Sequence, residues 1–541
     1  MADRLYGLGA SPGQAAGPAI ALGPPPELPP EREVADPRVE LALIERATKE
    51  VRDELTARAA RATTGSAREV LEAQALLAVD PMMLDTAAER ITAGSDAAHA
   101  LTGAFAELRE LLVSAGGMFA ERAADLDDLS NRALAVLLDA PMPGIPEPGH
   151  PFVLVADDLA PADTAGLNPA VVLALVTERG GLTSHTAILA RALGIPAVVG
   201  CEGALGLTGL VIVNGTTGEV LPGVTEEEAA EVNAQAETER RRLAASSGPT
   251  STSDGHRVEL MVNIGSVEDL HEVGDGVGLF RTEFLFLGRT QEPGLDEQTR
   301  AYGLVFAAAA GKPVIVRTLD AGADKPLPFL GLPDEPNPAL GVRGLRTSRT
   351  RPVILDTQLR AIAQAARDND AEVWVMAPMV STVTEAAEFV ALVRSHGLRT
   401  AGVMVEVPAA ALHADRLLRS ADFLSIGTND LAQYTLAIDR QSGDLPDLLD
   451  PWQPALLELI AHCARAGRAH GKPVSVCGEA AADPLLAPVL VGLGIRKLSM
   501  SPRSLPAVRE ALARYSLAEC ERLAERVLEA DDAAQARALA V

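Results

Sequence analysis

Gly180-Gly181-Leu182-Thr183-Ser184-His185-Thr186-Ala187-Ile188-Leu189-Ala190-Arg191 runs a glycine-rich turn into a helix and puts a histidine at the junction. The first N–H groups of a helix have no intrahelical partners, and the macrodipole is positive there. An imidazole held at such an end tends to stay neutral, and a phosphoryl group added to it meets ready donors. The Gly-Gly approach and the hydroxyls of Thr183, Ser184 and Thr186 strengthen that reading. The chemistry indicated is a histidine that takes up phosphate and hands it on.

Short apolar runs alternate with helical ones around this segment: Phe152–Ala156, Val171–Val176, the helix after His185, Ala197–Gly200 and Leu210–Asn214. This is the pattern of an α/β domain. Strand-like runs at Arg4–Gly9 and Pro18–Leu22, parted by the turn Ser11-Pro12-Gly13, are expected to complete its sheet. A Pro-rich crossing, Gly23–Pro30, then leads into a different period. Asp36-Pro37 supplies an N-cap and an N1 proline, and Leu41, Ile44, Thr48, Val51 and Leu55 follow at coiled-coil-like spacing. Gly65 is expected to end that helix and Ser66-Ala67-Arg68-Glu69 to form a capping box for the next. Further helical runs cover 82–93, 97–114 and 118–138, and a Pro/Gly linker at 141–151 closes the module. The expected organisation is an α/β domain from 1–23 and 145–225, interrupted by an all-helical insert at 30–140. A linker helix and hinge follow at 226–250. The insert is acidic, with 21 Asp/Glu against 12 Lys/Arg over 31–140.

From 251 to 541 eight short apolar runs recur, at 258–263, 277–280, 313–317, 373–378, 402–406, 422–427, 473–477 and 496–500. Helix-length segments separate most of them, which predicts a (β/α)8 barrel. In such barrels the working residues sit where strands end. Those ends hold Arg281 and Glu283, Arg317 and Asp320, Glu406, Thr428-Asn429-Asp430, and Cys477-Gly478-Glu479. Arg343 and Arg346 lie in a long Pro-rich connection after the third run, and Arg440 lies past the sixth. Arginines gathered at one mouth in so acidic a chain fit a clamp for a small polyanion. Glu406 and Asp430 are the best metal candidates, because two carboxylates with ligand oxygens and waters are the usual Mg²⁺ set. Cys477 reads either as a small core residue or as a neutral thiol able to protonate a carbanion.

Composition narrows the partners. A formal charge of −27 argues against nucleic acid and anionic membranes and fits a basic protein partner. Aromatic residues make up only 3%, which disfavours base stacking. The four cysteines, Cys201, Cys463, Cys477 and Cys520, are far apart and show no metal-site spacing, which suits a reducing cytoplasm. No stretch approaches 18 apolar residues and the start has no apolar signal core, so a cytoplasmic protein without membrane insertion is expected.

Taken together, Gly180–Gly200 (GGLTSHTAILARALGIPAVVG), Gly278–Leu285 (GLFRTEFL), Gly427–Leu431 (GTNDL) and Val476–Glu479 (VCGE) resemble Enzyme I of the bacterial sugar phosphotransferase system. The resemblance covers nearly the whole chain and keeps the domain order. It implies that His185 takes the phosphoryl group of phosphoenolpyruvate through Nε2, releasing pyruvate, and passes it to the histidine-containing phosphocarrier protein HPr. It implies that Thr164 hydrogen-bonds the active imidazole, that Arg281, Arg317, Arg343 and Arg440 bind phosphoenolpyruvate, and that Asn429 contacts it. Glu406 and Asp430 become Mg²⁺ ligands and Cys477 the proton donor to the pyruvate enolate. The helical insert becomes the HPr-docking module, and the barrel domain the seat of a homodimer. Two departures touch no charged group: Val407 stands where the family commonly has Thr, and Ala377 where it has a bulkier residue. The same phosphohistidine and barrel domains occur in ATP-using pyruvate phosphate dikinase and phosphoenolpyruvate synthase. Those need a nucleotide-grasp domain for which the chain has no Gly-rich phosphate loop before residue 150. A catalytically silent regulatory paralogue is the other alternative, and the presence of His185, the carboxylates and the thiol speaks against it.

Overall fold

The computed structural model of the chain describes all residues except 1–3, 24, 62–64, 116–122, 141–143, 147, 160–162, 164–166, 182–183, 271–272, 288, 324–326, 334, 440–444 and 541. The described residues form two compact units, 1–239 and 240–541.

In the first unit an eight-stranded sheet is assembled from strands before and after the helical insert. Its strands are β1 (Leu5–Tyr6), β2 (Leu8–Ser11), β3 (Gln14–Ala21), β4 (Phe152–Ala156), β5 (Val172–Thr177), β6 (Ala197–Val199), β7 (Leu210–Asn214) and β8 (Glu219–Pro222), in the spatial order β1-β8-β7-β3-β4-β5-β6-β2. The central pairs β3–β4 and β4–β5 are parallel, and every residue of β4 is buried. Apolar side chains alternate between two cores, Phe152 and Leu154 on one face, Val153 and Val155 on the other. A strand covered on both sides reads as a continuous apolar run, which is why β4 is plain in the sequence. The short β8 was not expected. It returns on β7 through a turn at Gly218, where φ is +79° and a Cβ would lie 2.1 Å from the Gly7 carbonyl oxygen.

Among the described residues, five helices lie between β3 and β4: α1 (Pro37–Arg61), α2 (Gly65–Leu77), α3 (Pro81–Thr92), α4 (Ala97–Ala115) and α5 (Ala123–Leu137). Asp36 caps the first, accepting the Arg38 N–H at 2.9 Å. Ile44, Val51 and Leu55 on α1 join Leu71, Met83, Leu101 and Leu129 in one buried core. One expectation is corrected here. Gly65 opens α2 instead of ending α1, so Ser66 lies inside the first turn and not at the cap. Helix α6 (His185–Leu193) follows β5 in the sheet domain, and the polar helix α7 (Glu226–Ala245) leads out of it.

The second unit is a closed eight-stranded parallel barrel, as the sequence predicts. Its strands are β10 (Arg257–Ile264), β11 (Val277–Arg281), β12 (Val314–Arg317), β13 (Val373–Ala377), β14 (Thr400–Val405), β15 (Phe423–Gly427), β16 (Val474–Cys477) and β17 (Lys497–Met500). Each pairs with the next, and β17 pairs back onto β10 while β10 also pairs with β11, so no edge remains. The preceding β9 (Thr250–Ser251) adds antiparallel to β10. Met261, Leu279, Ile315, Met376, Met404 and Phe423 fill the barrel interior, and Cys477 joins them at the top.

Candidate active site

The strand ends of the barrel surround a cavity of about 410 Å³. Arg281, Arg317, Glu406, Asn429, Asp430 and Cys477 all line it, so the barrel brings these separated positions to one cup. Arg281 closes β11 and is exposed, whereas Arg317 closes β12 and is buried.

Arg317 is held by carboxylates. Its Nη2 lies 3.1 Å from Glu283 Oε2, and its Nη1 lies 3.4 Å from Asp320 Oδ2 and 3.6 Å from Glu406 Oε1. Burial opposes its charge, but Glu283, Asp320 and Glu406 outweigh that and raise its pKa. Its Nε is buried without a hydrogen-bond partner, which leaves one donor for a ligand. Arg343 is fully buried beneath the cup. Its Nε and Nη2 donate to the two oxygens of Asp320 at 3.0 Å each, and its Nη1 donates to Asp430 Oδ1 at 2.9 Å. It is therefore a bracket between two site carboxylates. Its approach requires Gly322, since a Cβ there would lie 2.7 Å from the Arg343 Cβ.

Glu406 follows β14 and is 1% exposed. Burial, then Asp320 and Asp430, push its carboxyl up to about 7 against the pull of Arg317 and Arg343. Its Oε2 accepts the Met379 N–H at 2.8 Å. Met379 has φ of +59°, a conformation that costs a non-glycine residue energy and here aims its amide at the site. Asp430 sits in the first turn of the helix Thr428–Leu436 after β15, and the side-chain Oδ1 of Asn429 accepts the Glu479 N–H at 3.4 Å. Among the described residues, no three His, Cys, Asp or Glu side chains form a ready metal cage. Mg²⁺ is commonly held by only one or two protein carboxylates, so the hard oxygen donors of Glu406 and Asp430 fit such an ion, and the crowding of negative charge that raises Glu406 favours one.

The Cys477 thiol is 2% exposed at the end of β16. It donates to the Ile426 carbonyl at 3.3 Å, and the Ser425 hydroxyl points at its sulfur from 3.6 Å. Burial raises its pKa, so it is a neutral thiol, suited to giving a proton and poorly suited to nucleophilic attack.

In the first unit His185 is the first residue of α6. Ser184 caps that helix, its hydroxyl accepting the Ala187 N–H at 3.2 Å, and Gly180 reaches the turn with φ of +95°. Arg191 ties the other end down by donating to the Ala10 carbonyl at 2.7 Å. Thr164 and Arg440 lie outside the described residues. Arg346 is corrected. Its guanidinium donates to the carbonyls of Leu340 and Gly341 and to the Ser381 hydroxyl, so it pins the long connection.

Sequence reasoning placed Asp320 and Glu283 at strand ends without seeing that they hold the arginines. It missed Gln358, which accepts the Leu319 N–H and donates to Thr282 and Tyr302 below the cup. Nothing local signals Gln358, because its partners are scattered along the chain.

Three family models match in chain order. They are the N-terminal domain of PEP-utilising enzymes over residues 6–122, their mobile domain over 148–218 and their PEP-binding domain over 239–517. The fold and cup are thus those of a phosphoenolpyruvate-utilising enzyme. The phosphoenolpyruvate-protein phosphotransferase of Streptomyces coelicolor is 51% identical over 100% of this chain and 99% of its own length. Those of Staphylococcus carnosus and Bacillus subtilis are each 37% identical, over 98% and 97% of this chain and 97% of their own lengths. The chain belongs to the phosphoenolpyruvate-protein phosphotransferase family, Enzyme I, and this full-length agreement favours it over the ATP-using alternative.

Proposed function

We propose that the chain moves the phosphoryl group of phosphoenolpyruvate to its own His185 and then to the phosphocarrier HPr, the first step of a sugar phosphotransferase system. The substrate is a small polyanion. Arg281 at the mouth and the spare donor of Arg317 receive its phosphate and carboxylate, while Asn429 orients it. Arg343 acts from beneath by fixing Asp320 and Asp430. Glu406 and Asp430 are the residues that would hold Mg²⁺, which supplies charge neutralisation on the phosphate when bound. The imidazole of His185 forms an N–P bond as the P–O bond to the enol oxygen breaks, and that electron pair stays on the enolate. Such transfers depend on positioning and charge stabilisation. Carbon 3 of the enolate takes its proton from the Cys477 thiol, giving pyruvate and a thiolate that solvent reprotonates. Thr164 is the proposed hydrogen-bond partner of the imidazole and Arg440 a further phosphate ligand.

Phosphohistidine must then meet HPr, for which the acidic helices α1–α5 are the proposed landing surface. The stretches 23–30, 141–151 and 246–255 are the proposed hinges. We further propose a cytoplasmic homodimer assembled through the barrel; among the described residues no helix is long and apolar enough to cross a membrane.

The observation that carries this reading is the cup itself. A buried, charged Arg317 with a free donor sits in the same cavity as a buried neutral thiol. Incubation with labelled phosphoenolpyruvate and Mg²⁺ without ATP tests it. Acid-labile label is expected on the wild type and none on His185→Ala. Label that requires ATP, or that survives in His185→Ala, overturns it.

A further inference from the structure

The first unit buries an ionic cluster of its own, which the chemistry above does not use. Arg132 on α5 is fully buried. Its Nη2 donates to Asp163 Oδ1 at 2.7 Å and its Nε to Asp128 Oδ2 at 2.8 Å. Its Nη1 lies 3.6 Å from Glu54 Oε2 of α1, and neither of those two atoms has a hydrogen-bond partner. Taking a guanidinium and its carboxylates out of water is expensive, and well-packed apolar residues of the same volume commonly serve stability as well or better. A cluster of this kind is more readily explained by the geometry it enforces.

The geometry is specific. Asp163 belongs to the connection between β4 and β5, and it is 4% exposed between the buried Leu159 and Leu167. The same connection is fastened near its start to the helix of His185, where the Thr186 hydroxyl donates to Asp158 Oδ1 at 3.3 Å. Thr186 is the residue after His185 and is itself 1% exposed. One short connection is thus tied at Asp158 to the histidine helix and at Asp163 to the helical module. Asp163 also immediately precedes Thr164 in the sequence.

We propose that Arg132 is a positioning residue for phosphoryl transfer: by holding Asp163, it ties the helical module to the connection whose Asp158 is hydrogen-bonded to Thr186, the residue after His185. The inference rests on the reading of His185 as phosphoryl acceptor. It assigns part of the acceptor geometry to a side chain of the module that the reading treats only as a docking surface. Its physical basis is that a reacting group must be held within a fraction of an ångström by its supporting residues.

The test uses the full-length chain. Single-turnover phosphorylation by labelled phosphoenolpyruvate with Mg²⁺ is followed by rapid quench, and the His185 imidazole is observed by ¹⁵N NMR without substrate. Arg132→Met is expected to lower the transfer rate at saturating phosphoenolpyruvate about tenfold, the scale of a small misplacement, and to leave the half-saturating concentration unchanged. It is also expected to shift the imidazole nitrogens. Asp163→Asn keeps the acceptor oxygen and is expected to stay within about twofold of wild type with unshifted nitrogens, since the hydrogen bond and not the charge carries the geometry. If Arg132→Met does not fold, Asp163→Ala takes its place, removing the same bond while Arg132 keeps Asp128. A severed bond with a wild-type rate and unshifted imidazole nitrogens overturns the inference. A wild type that takes no label refutes the His185 reading instead, and the imidazole spectrum still decides whether the module sets its placement.

Discussion

Arg343 and Asp320 face each other with two parallel hydrogen bonds of 3.0 Å, both side chains wholly removed from solvent. The pair lies at the centre of the site's electrostatics. Asp320 also stands 3.4 Å from Arg317, and the far end of Arg343 reaches Asp430. One carboxylate thereby fixes two arginines, and one arginine fixes two carboxylates. An anion entering the cup meets groups whose positions are already set, which is the condition for electrostatic stabilisation without reorganisation.

Removing Asp320 therefore leaves Arg343 buried and half-paired. Asp320→Ala is expected to destabilise the barrel by about 3 kcal/mol, the usual scale for breaking a buried pair from one side. Both tryptophans, Trp374 and Trp452, lie in this unit, so urea unfolding followed by their fluorescence reads the loss. The double variant Asp320→Leu/Arg343→Met is expected to recover much of the stability and none of the pyruvate production. A single variant as stable as wild type would show that the pair does not brace the site.

Gly478 separates Cys477 from Glu479 with φ of +105° and ψ of −163°, and a Cβ there would lie 2.8 Å from the Thr428 hydroxyl and 3.1 Å from Asn429 Oδ1. Gly478→Ala is expected to cost about 1–3 kcal/mol in strain and to displace Asn429 and the thiol together. A fall in kcat for pyruvate formation larger than the change in KM is the expected result. Unchanged kinetics would mean that the loop absorbs the methyl group elsewhere.

Cys477 offers a cleaner separation of steps. With the thiol buried and neutral, Cys477→Ala is expected to slow pyruvate release roughly 100-fold, as loss of a positioned acid does, with His185 still present to accept phosphate. A coupled pyruvate assay reads the rate. A rate equal to wild type would remove the thiol from its proposed role.

How much of this was legible beforehand follows the physics of each element. Most barrel strands are buried along nearly their whole length, so they read as short apolar runs broken only by a small polar residue such as Ser425 or Ser475, and all eight were found. Strand β8 escaped because Glu-Val-Leu-Pro is half exposed and carries no period. Gly65 was read as a stop because glycine usually ends helices, but it starts α2. The cup residues stood out because chemistry-bearing side chains cluster at strand ends. Their mutual geometry did not: Asp320 and Arg343 are 23 positions apart, and only the fold shows that one holds the other. Arg346, by contrast, looked like a ligand for an anion until its backbone partners were seen.

Asp163 gives a pH dependence of known sign. Burial, then Asp128, push its carboxyl up to about 6 despite Arg132. A carboxyl raised on folding contributes stability that is complete below its unfolded value near 3.8 and is lost as pH rises through about 6. Asp163→Asn has no such proton to lose. The variant is expected to gain on wild type between about pH 4 and pH 6 and to keep a constant lead above that. Hydrogen exchange of α5 in the full chain measures the difference. A lead that shrinks with rising pH would reverse the assignment.

The acidic helical module predicts how partner transfer responds to salt. Most of the described Asp and Glu side chains of 31–140 are exposed, where the field is screened within about 10 Å at 0.1 M salt. The KM for HPr is therefore expected to rise several-fold between low and high salt, chiefly through slower association, while the maximal rate holds. Leu76 and Met82, 73% and 54% exposed on α2 and α3, supply an apolar contact that salt does not weaken, so binding is expected to level off and not vanish. Leu76→Ala should then lower the plateau without changing the salt slope. A KM indifferent to salt would move the docking surface away from these helices.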